Sequence, residues 1–455
     1  MSGEILLGAD GVARLAEPAL ALADEPGVAG VEVVVQRDWG GLTRFANSQV
    51  HQNVWTEDVA VSIRVVTDDA RIGVAGASTD DPAGVAATAR SALEIARVSP
   101  PDPDYGGLAG PAEVATVPFD RAAAVASPGE RADAVRALLG QVPSDLEAAG
   151  SYRTGGTEVG VYTSLGQAVY SPLSATELTV VVTGSTSSGY AEAGGRVLAD
   201  VDPVATARVA VEKARAGADP VAVDPGRWAV VLEPAATATL VQFLAYLGFG
   251  GRDWLEGRAF TSARLGEQVV DPRITIVDDA LAPDTIGLPF DYEGTPKRRI
   301  ELIRDGVATA VVHDRYTAGR AGVASTGHAL PAPNPHGPVA TNPLLVPGDD
   351  GGVADLLAGM ERGLLVTRFH YTNVIHQLDT TITGMTRDGT FLVEDGKVVA
   401  PVRNLRFTQS ILEALAEVEA ISSTTAYSSE FFFGGSRCPA LRLPAFTFTG
   451  STTFG

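Results

Sequence analysis

The 455-residue sequence predicts an α+β fold: an N-terminal two-layer α/β region over residues 1–222, then a β-rich C-terminal domain over residues 223–455. Three observations predict it. Asp58–Thr67 alternates Val59, Val61, Ile63 and Val65 with Ala60, Ser62, Arg64 and Val66, the period of a sheet strand, with Ser62 and Arg64 toward the wetter side. Behind Asp81-Pro82, Val85, Ala89, Ala92, Leu93 and Ala96 recur at helical spacing, so strands are followed by a helix that covers one face of their sheet. After Asp224-Pro225-Gly226 the chain changes to short apolar runs punctuated by Gly, Pro and Asp-Gly.

Taken in order, residues 10–24 have helical character and Val31–Val35 reads as a strand. Leu42–Ser48 and His51–Trp55 are successive strands around a turn. Asp81 caps the next helix and Pro82 occupies its first turn. Residues 99–117 are rich in Pro and Gly and read as a linker or long surface loop, a sub-boundary within the first region. Ser127-Pro128-Gly129-Glu130 is a capping box that opens a helix to about Leu139. Thr157–Tyr162 and Gln167–Tyr170 flank a hairpin turn, Ala175–Thr183 is another strand, and Asp202-Pro203 starts a helix that Gly217 stops.

In the second half, Trp228–Leu232 is an apolar strand feeding a helix with one buried face, marked by Leu240, Phe243, Leu244 and Leu247. Leu302–Val307 is a hairpin with an Asp-Gly turn. Gly384–Phe391 and Glu394–Lys397 read as two hairpins in series. Ser410–Val418 is a short helix, and Pro444 makes the last strand, Leu441–Thr449, an edge strand.

Several of these pieces are similar to one family. Arg44-Phe45-Ala46-Asn47, Arg64-Val65 and Arg71-Ile72-Gly73 follow its N-terminal pattern in order and spacing. Asp291-Tyr292-Glu293-Gly294-Thr295-Pro296 resembles its Asp-x-Glu-Gly-x-Pro loop, Ser325-Thr326-Gly327-His328 a Thr-Gly-Asn loop, and Ala340-Thr341-Asn342 an Arg-x-Thr-Asn motif without the Arg. Thr163 stands where an Asn is usual, while Glu394-Asp395-Gly396-Lys397 keeps the pattern. The whole chain thus resembles the TldD/PmbA (TldD/TldE) family, best from Gly226 to Asn404.

In the zinc-bearing subunits of that family, a helix after the apolar strand carries His-Glu-x-x-x-His, two metal ligands around a general base. Aligned without a gap from the strand, those places hold Gln242, Phe243 and Leu247. The helix has no His, Cys, Asp or Glu from Ala235 to Leu247, so the chain resembles the PmbA/TldE-type subunit. The resemblance implies no catalytic residue and no metal ligand in this chain, with zinc held by a TldD-like partner. Together the two would enclose a cavity admitting unfolded or precursor peptides.

The residues themselves give a compatible reading. The formal charge of −21 disfavours nucleic acid and anionic membranes, which need clustered Lys and Arg. No apolar run approaches the ~20 residues of a membrane helix, and the first ten residues lack a secretory pattern, so a cytoplasmic location is expected. The single cysteine, Cys438, allows no internal disulfide and reads as a small core residue. A catalytic zinc needs about three converging ligands. Of the six histidines, His370 and His376 cannot pair locally on a strand or a helix, and only His328 and His336, in a Pro-rich loop, are placed to converge. No Gly-x-Ser-x-Gly elbow and no phosphate loop occurs.

The densest polar set is Arg368, His370, Tyr371, Asn373, His376, Asp379, Arg387, Asp388 and Arg406. It reads either as a polar rim on hairpins or as a groove holding an extended peptide by strand addition. Two other function classes stay open: an autonomous hydrolase using this cluster, and a stand-alone peptide-binding or assembly protein. The run Phe431-Phe432-Phe433 is a candidate partner contact, or else a buried strand.

Overall fold

The structure is a computed structural model that describes residues 5–283, 285–428 and 435–451, and the Phe431–Phe433 run lies outside them. Among these residues the strands form two sheets. The first has the order β3-β2-β1-β4-β5-β6, with β1 at Val28–Ala46, β2 at Gln49–Thr67, β3 at Ile72–Ser78, β4 at Glu147–Thr163, β5 at Ala168–Thr183 and β6 at Ser188–Gly195. Every neighbouring pair is antiparallel.

These strands are longer than the sequence patterns suggest. Val31–Val35 and Leu42–Ala46 are one strand, and so are Ala168–Tyr170 and Ala175–Thr183. In β1 the Gly40-Gly41 pair looks like a break but serves close packing. A Cβ on Gly41 would lie about 1.8 Å from the guanidinium carbon of Arg131, which is fully buried. Arg131 is held there by the Ala126 carbonyl at 2.5 Å and the Thr154 hydroxyl at 3.3 Å.

Helices cover one face of this sheet. They are α1 at Gly8–Leu20, α2 at Pro82–Val98, α3 at Arg121–Val125, α4 at Pro128–Leu139 and α5 at Pro203–Ala216. Their starts are set locally: Asp81 and Asp202 accept backbone N–H groups of the first turn, and Ser127 with Glu130 closes the reciprocal capping box. Val31, Val33, Val61, Ile63 and Val65 pack beneath α1 and α2, while Leu178, Val180 and Val182 pack with α4 and α5.

The opposite face is not wet. Val34, Val159 and Val161 pack on Phe290 of the second half, and the Ser62 hydroxyl donates to the Ala332 carbonyl. The face carrying Ser62 and Arg64 is therefore an interface, which strand alternation cannot distinguish from solvent. Residues 99–117 carry no helix or strand, and the Gly106 and Gly107 carbonyls accept from the Arg315 guanidinium, strapping this segment to the second half.

The second sheet has eleven strands: β7 at Gly226–Leu232, β8 at Ile276–Asp278, β9 at Ile300–Arg304, β10 at Val307–Ala308, β11 at Pro343–Leu345, β12 at Arg362–His376, β13 at Thr381–Glu394, β14 at Lys397–Pro401, β15 at Leu405–Ser410, β16 at Ala420–Ser428 and β17 at Ser436–Ser451. Its path returns on itself: β17 pairs β15, β15 pairs β13, β13 pairs β12, β12 pairs β7, and β7 pairs β17. The last strand is thus central, with β7, β11, β15 and β16 all bonded to it. Pro444 falls where the register with β7 slips between Leu443 and Phe446, so a bulge rather than an edge accommodates the missing N–H.

Two further expectations change. Arg387-Asp388-Gly389 is a bulge inside β13, not a turn, whereas Asp395-Gly396 does turn between β13 and β14 with positive φ at both residues. The helix near Ser410 is a single turn, Ile411–Ala414.

Candidate functional site

After β7, Pro234 opens α6, Pro234–Gly248. This helix is buried on nearly every side, not along one stripe, because β12, β16 and β17 pack around it. Phe243 and Leu247 belong to the largest apolar core with Val230, Leu232, Phe369, Phe407 and Phe446. Gln242 is buried as well, and its amide nitrogen stands 3.4 Å from the Ser428 carbonyl.

A zinc ion does not fit the donors at these three places. A phenyl ring, an isobutyl group and a carboxamide supply none of the imidazole, thiolate or carboxylate groups that zinc sites use. Among the described residues no three His, Cys, Asp or Glu side chains converge as a metal cage. His328 is buried against Asp278, whereas His336 is exposed. Cys438 lies in the α6 core, and burial pushes its thiol up to about 11, away from the thiolate a metal needs.

The polar set of the β12–β13 hairpin divides. At its base Arg368 donates to Asp388 at 2.6 and 2.8 Å, and the Ser188 hydroxyl of β6 donates to the other Asp388 oxygen at 2.6 Å. Arg368 also lies 4.0 Å above the Tyr190 ring, and the Arg387 Nε stands 3.8 Å from Asp388. At the tip His376 faces Asp379 at 3.0 Å, and Asn373 donates to the Tyr371 carbonyl. From Arg368 to His376 the strand runs roughly 26 Å at its usual rise. His370, edge-on to Tyr371, lies between the two groups, with its pKa lowered by partial burial and by Arg368 and Arg387. Arg406 sits on β15 opposite Met385 of β13, on the far side of that strand from β12. The nine residues therefore line a long surface and do not make one catalytic cluster.

The hairpin offers an edge. β12 pairs β7 only over Leu364–Val366, and among the described residues the stretch from Arg368 to His376 pairs β13 alone. Tyr371, Val374 and Ile375 along it are exposed, and Tyr371 has a φ of 55° within a bulge.

A second polar region went unread in the sequence. The Asp291–Pro296 loop, the Ser325–His328 loop and Thr341-Asn342 come together where the two halves meet, around a cavity of about 270 Å³. Gln36, Thr157, Val159 and Leu173 of the first sheet close its other side. Asp291 organises the loops: it accepts the N–H groups of Glu293, Thr295 and Ala329 at 2.9–3.0 Å. Burial nevertheless pushes its carboxyl up to about 7, helped by the Glu293 charge. Asp278 accepts the Asn342 N–H at 2.7 Å and faces His328 Nε2 at 3.0 Å. Burial opposes its charge, but His328 and Lys297 hold its pKa below the usual range. Lys297 donates to the Thr341 hydroxyl at 2.6 Å, and burial lowers its pKa.

Beside this cavity Arg64 of β2 bridges Glu32 of β1 at 2.9 Å and Glu293 at 3.3 Å. Glu293 also accepts the Arg315 N–H at 2.9 Å. Burial pushes Glu32 up to about 7 against the pull of Arg64. Thr326, His328 and Asp278 form a hydroxyl–imidazole–carboxylate line with 3.0 Å steps. The Thr326 hydroxyl, however, is buried, takes the His313 N–H at 2.6 Å and does not line the cavity, so it is not placed as a nucleophile. Asp291, Glu293, His328 and Asn342 stood on motif loops visible in the sequence. Nothing local marked Glu32, Asp278 or Lys297.

A family profile described as the PmbA/TldA metallopeptidase C-terminal domain matches residues 225–450, and one described as PmbA/TldA metallopeptidase domain 1 matches residues 31–96. A Haemophilus influenzae protein called "Metalloprotease TldD homolog" is 26% identical over 265 residues, 55% of this chain, which spans only about half (54%) of that relative. "Metalloprotease PmbA" of Escherichia coli O157:H7 is 24% identical over 437 residues, 91% of this chain and 92% of that one. The crystal structure of TldE from Thermococcus kodakarensis superposes with a TM-score of 0.86 at 19% identity, covering 96% of this chain and all (100%) of that one.

Proposed function

The chain belongs to the PmbA/TldA metallopeptidase family, also written TldD/PmbA, and from that premise we propose that it is the non-catalytic, PmbA/TldE-like subunit of a heteromeric zinc metallopeptidase acting on unfolded or precursor peptides. One observation carries the reading. The helix on which the resemblance would place a zinc motif is kept in position behind β7 but carries Gln242, Phe243 and Leu247, packed into the core. The side chains at these three places are buried, which leaves no room there for a metal and its water. In this reading a TldD-like homologue would hold the zinc, whose chemistry there would be to polarise a scissile carbonyl and activate water. This chain's own part is to bind and orient peptide. Among the described residues the Arg368–His376 stretch of β12 has a strand, β13, on one edge only, and in this reading its other edge takes an extended segment by backbone hydrogen bonds, giving affinity with little side-chain preference. Arg368, His370, Tyr371 and Asn373 lie along that stretch.

The test is co-expression with a zinc-bearing homologue, size exclusion, metal analysis and cleavage of an unstructured peptide. The expected result is co-elution, zinc in the partner and not in this chain, and cleavage that depends on both proteins. Zinc bound by this chain alone and lost on mutating His328 or His336, or peptide cleavage by this chain alone, overturns the reading. A partner that cleaves equally well without it and never co-elutes does so too.

A further inference from the structure

A cavity of about 660 Å³ lies between the β5–β6 turn of the first sheet and the base of the β12–β13 hairpin. Thr183, Ser185, Thr186, Ser187 and Ser188 give it a hydroxyl wall, and Arg387 and Arg403 face them. Two carboxylates also line it, but both are engaged. Asp388 is held through one oxygen by Arg368 and through the other by the Ser188 hydroxyl. Asp219 accepts the Thr186 hydroxyl at 3.3 Å. Arg387 stays 3.8 Å from Asp388, beyond hydrogen-bond distance, and neither the Arg387 nor the Arg403 guanidinium donates a hydrogen bond within the described residues. Counting Arg368 behind Asp388, three guanidinium groups meet two carboxylates, in a chain whose net charge is −21.

The backbone is arranged for this. Between Val366↔Thr390 and Arg368↔Arg387 the β12–β13 register slips by one residue, with φ of 55° at Asp388 and 133° at Gly389. Such a bulge re-aims the side chains beside it. Here Asp388 turns inward to Arg368 while Arg387 stays at the cavity wall.

We propose that this cavity is a carboxylate subsite of the peptide cleft, in which Arg387 and Arg403 bind the C-terminal carboxylate, or an acidic side chain, of a bound peptide. Two planar forks match the two oxygens of a carboxylate, and the hydroxyl wall supplies further donors. The inference rests on the peptide-binding reading above and assigns to that cleft the chemistry of one end.

The test uses the full chain and three fluorescein-labelled, unstructured decapeptides in binding anisotropy: a free acid, its C-terminal amide, and the amide with one internal Glu. The free acid is expected to bind about tenfold more tightly than the plain amide, as a charge-assisted pair of hydrogen bonds warrants. Arg387→Gln with Arg403→Gln should erase that gap and, since both side chains are exposed, preserve the far-UV spectrum and melting temperature. Tight binding of the Glu-containing amide assigns the site to acidic side chains, and weak binding assigns it to the terminus; both support the subsite. Equal affinity for all three peptides, or a gap that persists in the double variant, overturns the subsite and leaves the cleft standing. Failure of every peptide to bind overturns the cleft and the subsite together.

Discussion

The surroundings of α6 and the seam between the two halves are opposite solutions to burial. Around α6 the chain fills a family scaffold with apolar side chains: Phe243, Leu244 and Leu247 meet Phe369, Phe407 and Phe446. At the seam it buries charge: Glu32, Arg64, Glu293, Asp278, His328 and Lys297 within a few layers of residues. The contrast teaches where constraint lies. An apolar core tolerates the exchange of one apolar side chain for another of similar volume. A buried charge network fails when any single member is removed. The Asp291–Pro296 and Ser325–His328 loops belong to the second kind.

Four substitutions bear on this comparison. Phe243→Ala should cost about 3–5 kcal/mol, since it empties a buried aromatic site. Urea unfolding measures it, and a loss below about 1 kcal/mol would mean that the core yields as easily as a surface. Arg64→Met should cost about 3 kcal/mol, the low end for a broken buried pair, because Glu293 retains the Arg315 N–H. A neutral result would erase the distinction between the two regions.

Third, Glu32→Gln tests the charge itself through pH. Burial raises Glu32 to about 7 in the folded chain, so the fold binds this proton more tightly than the unfolded chain does. Its stabilising contribution is complete below the ordinary glutamate range and is lost as pH rises through about 7. The melting temperature of Glu32→Gln relative to the parent should therefore climb from pH 5 to pH 8. Comparing the two proteins cancels the opposite trend from His313 and His328, whose pKa values burial lowers. A difference that stays flat or falls would show that Arg64 keeps Glu32 ionised throughout. The smallest effect is expected for Gln242→Leu. Its amide oxygen has no partner among the described residues and its nitrogen makes one long contact, so the exchange should change stability by less than about 1 kcal/mol in either direction.

The legibility of the sequence follows the same divide. Helix starts at Asp81, Ser127 and Asp202 were readable because a cap is decided within four residues. The position and apolar character of α6 were readable for the same local reason. Strand length was not: Gly40-Gly41 signals a break unless one knows that Arg131 and Gly155 arrive from elsewhere to press on them. Pro444 signals an edge unless the bulge opposite β7 is known. The polar residues of the hairpin were identified singly but placed together, because a strand's length separates groups that look adjacent in text. The seam stayed hidden because Glu32 and Arg64 meet only through the β1–β2 register, and Glu293 joins them only when the two halves dock.

The returning ladder of the second sheet has a consequence for synthesis. β7 begins at Gly226, yet its partner β17 ends at Ser451, so the pairing that closes the ring waits on more than two hundred residues of later chain. The first sheet, with every strand made by Gly195, can form as soon as it leaves the ribosome. Until β17 arrives, one edge of β7 and the apolar faces around α6 lack their cover. Closure of so distant a pair is slow, because loop entropy is spent before its contacts form. The nascent protein therefore passes through a stage with the first sheet formed, its Phe290-facing side still uncovered, and an open, aggregation-prone second half, and a chaperone that shields an apolar strand edge would act in that interval.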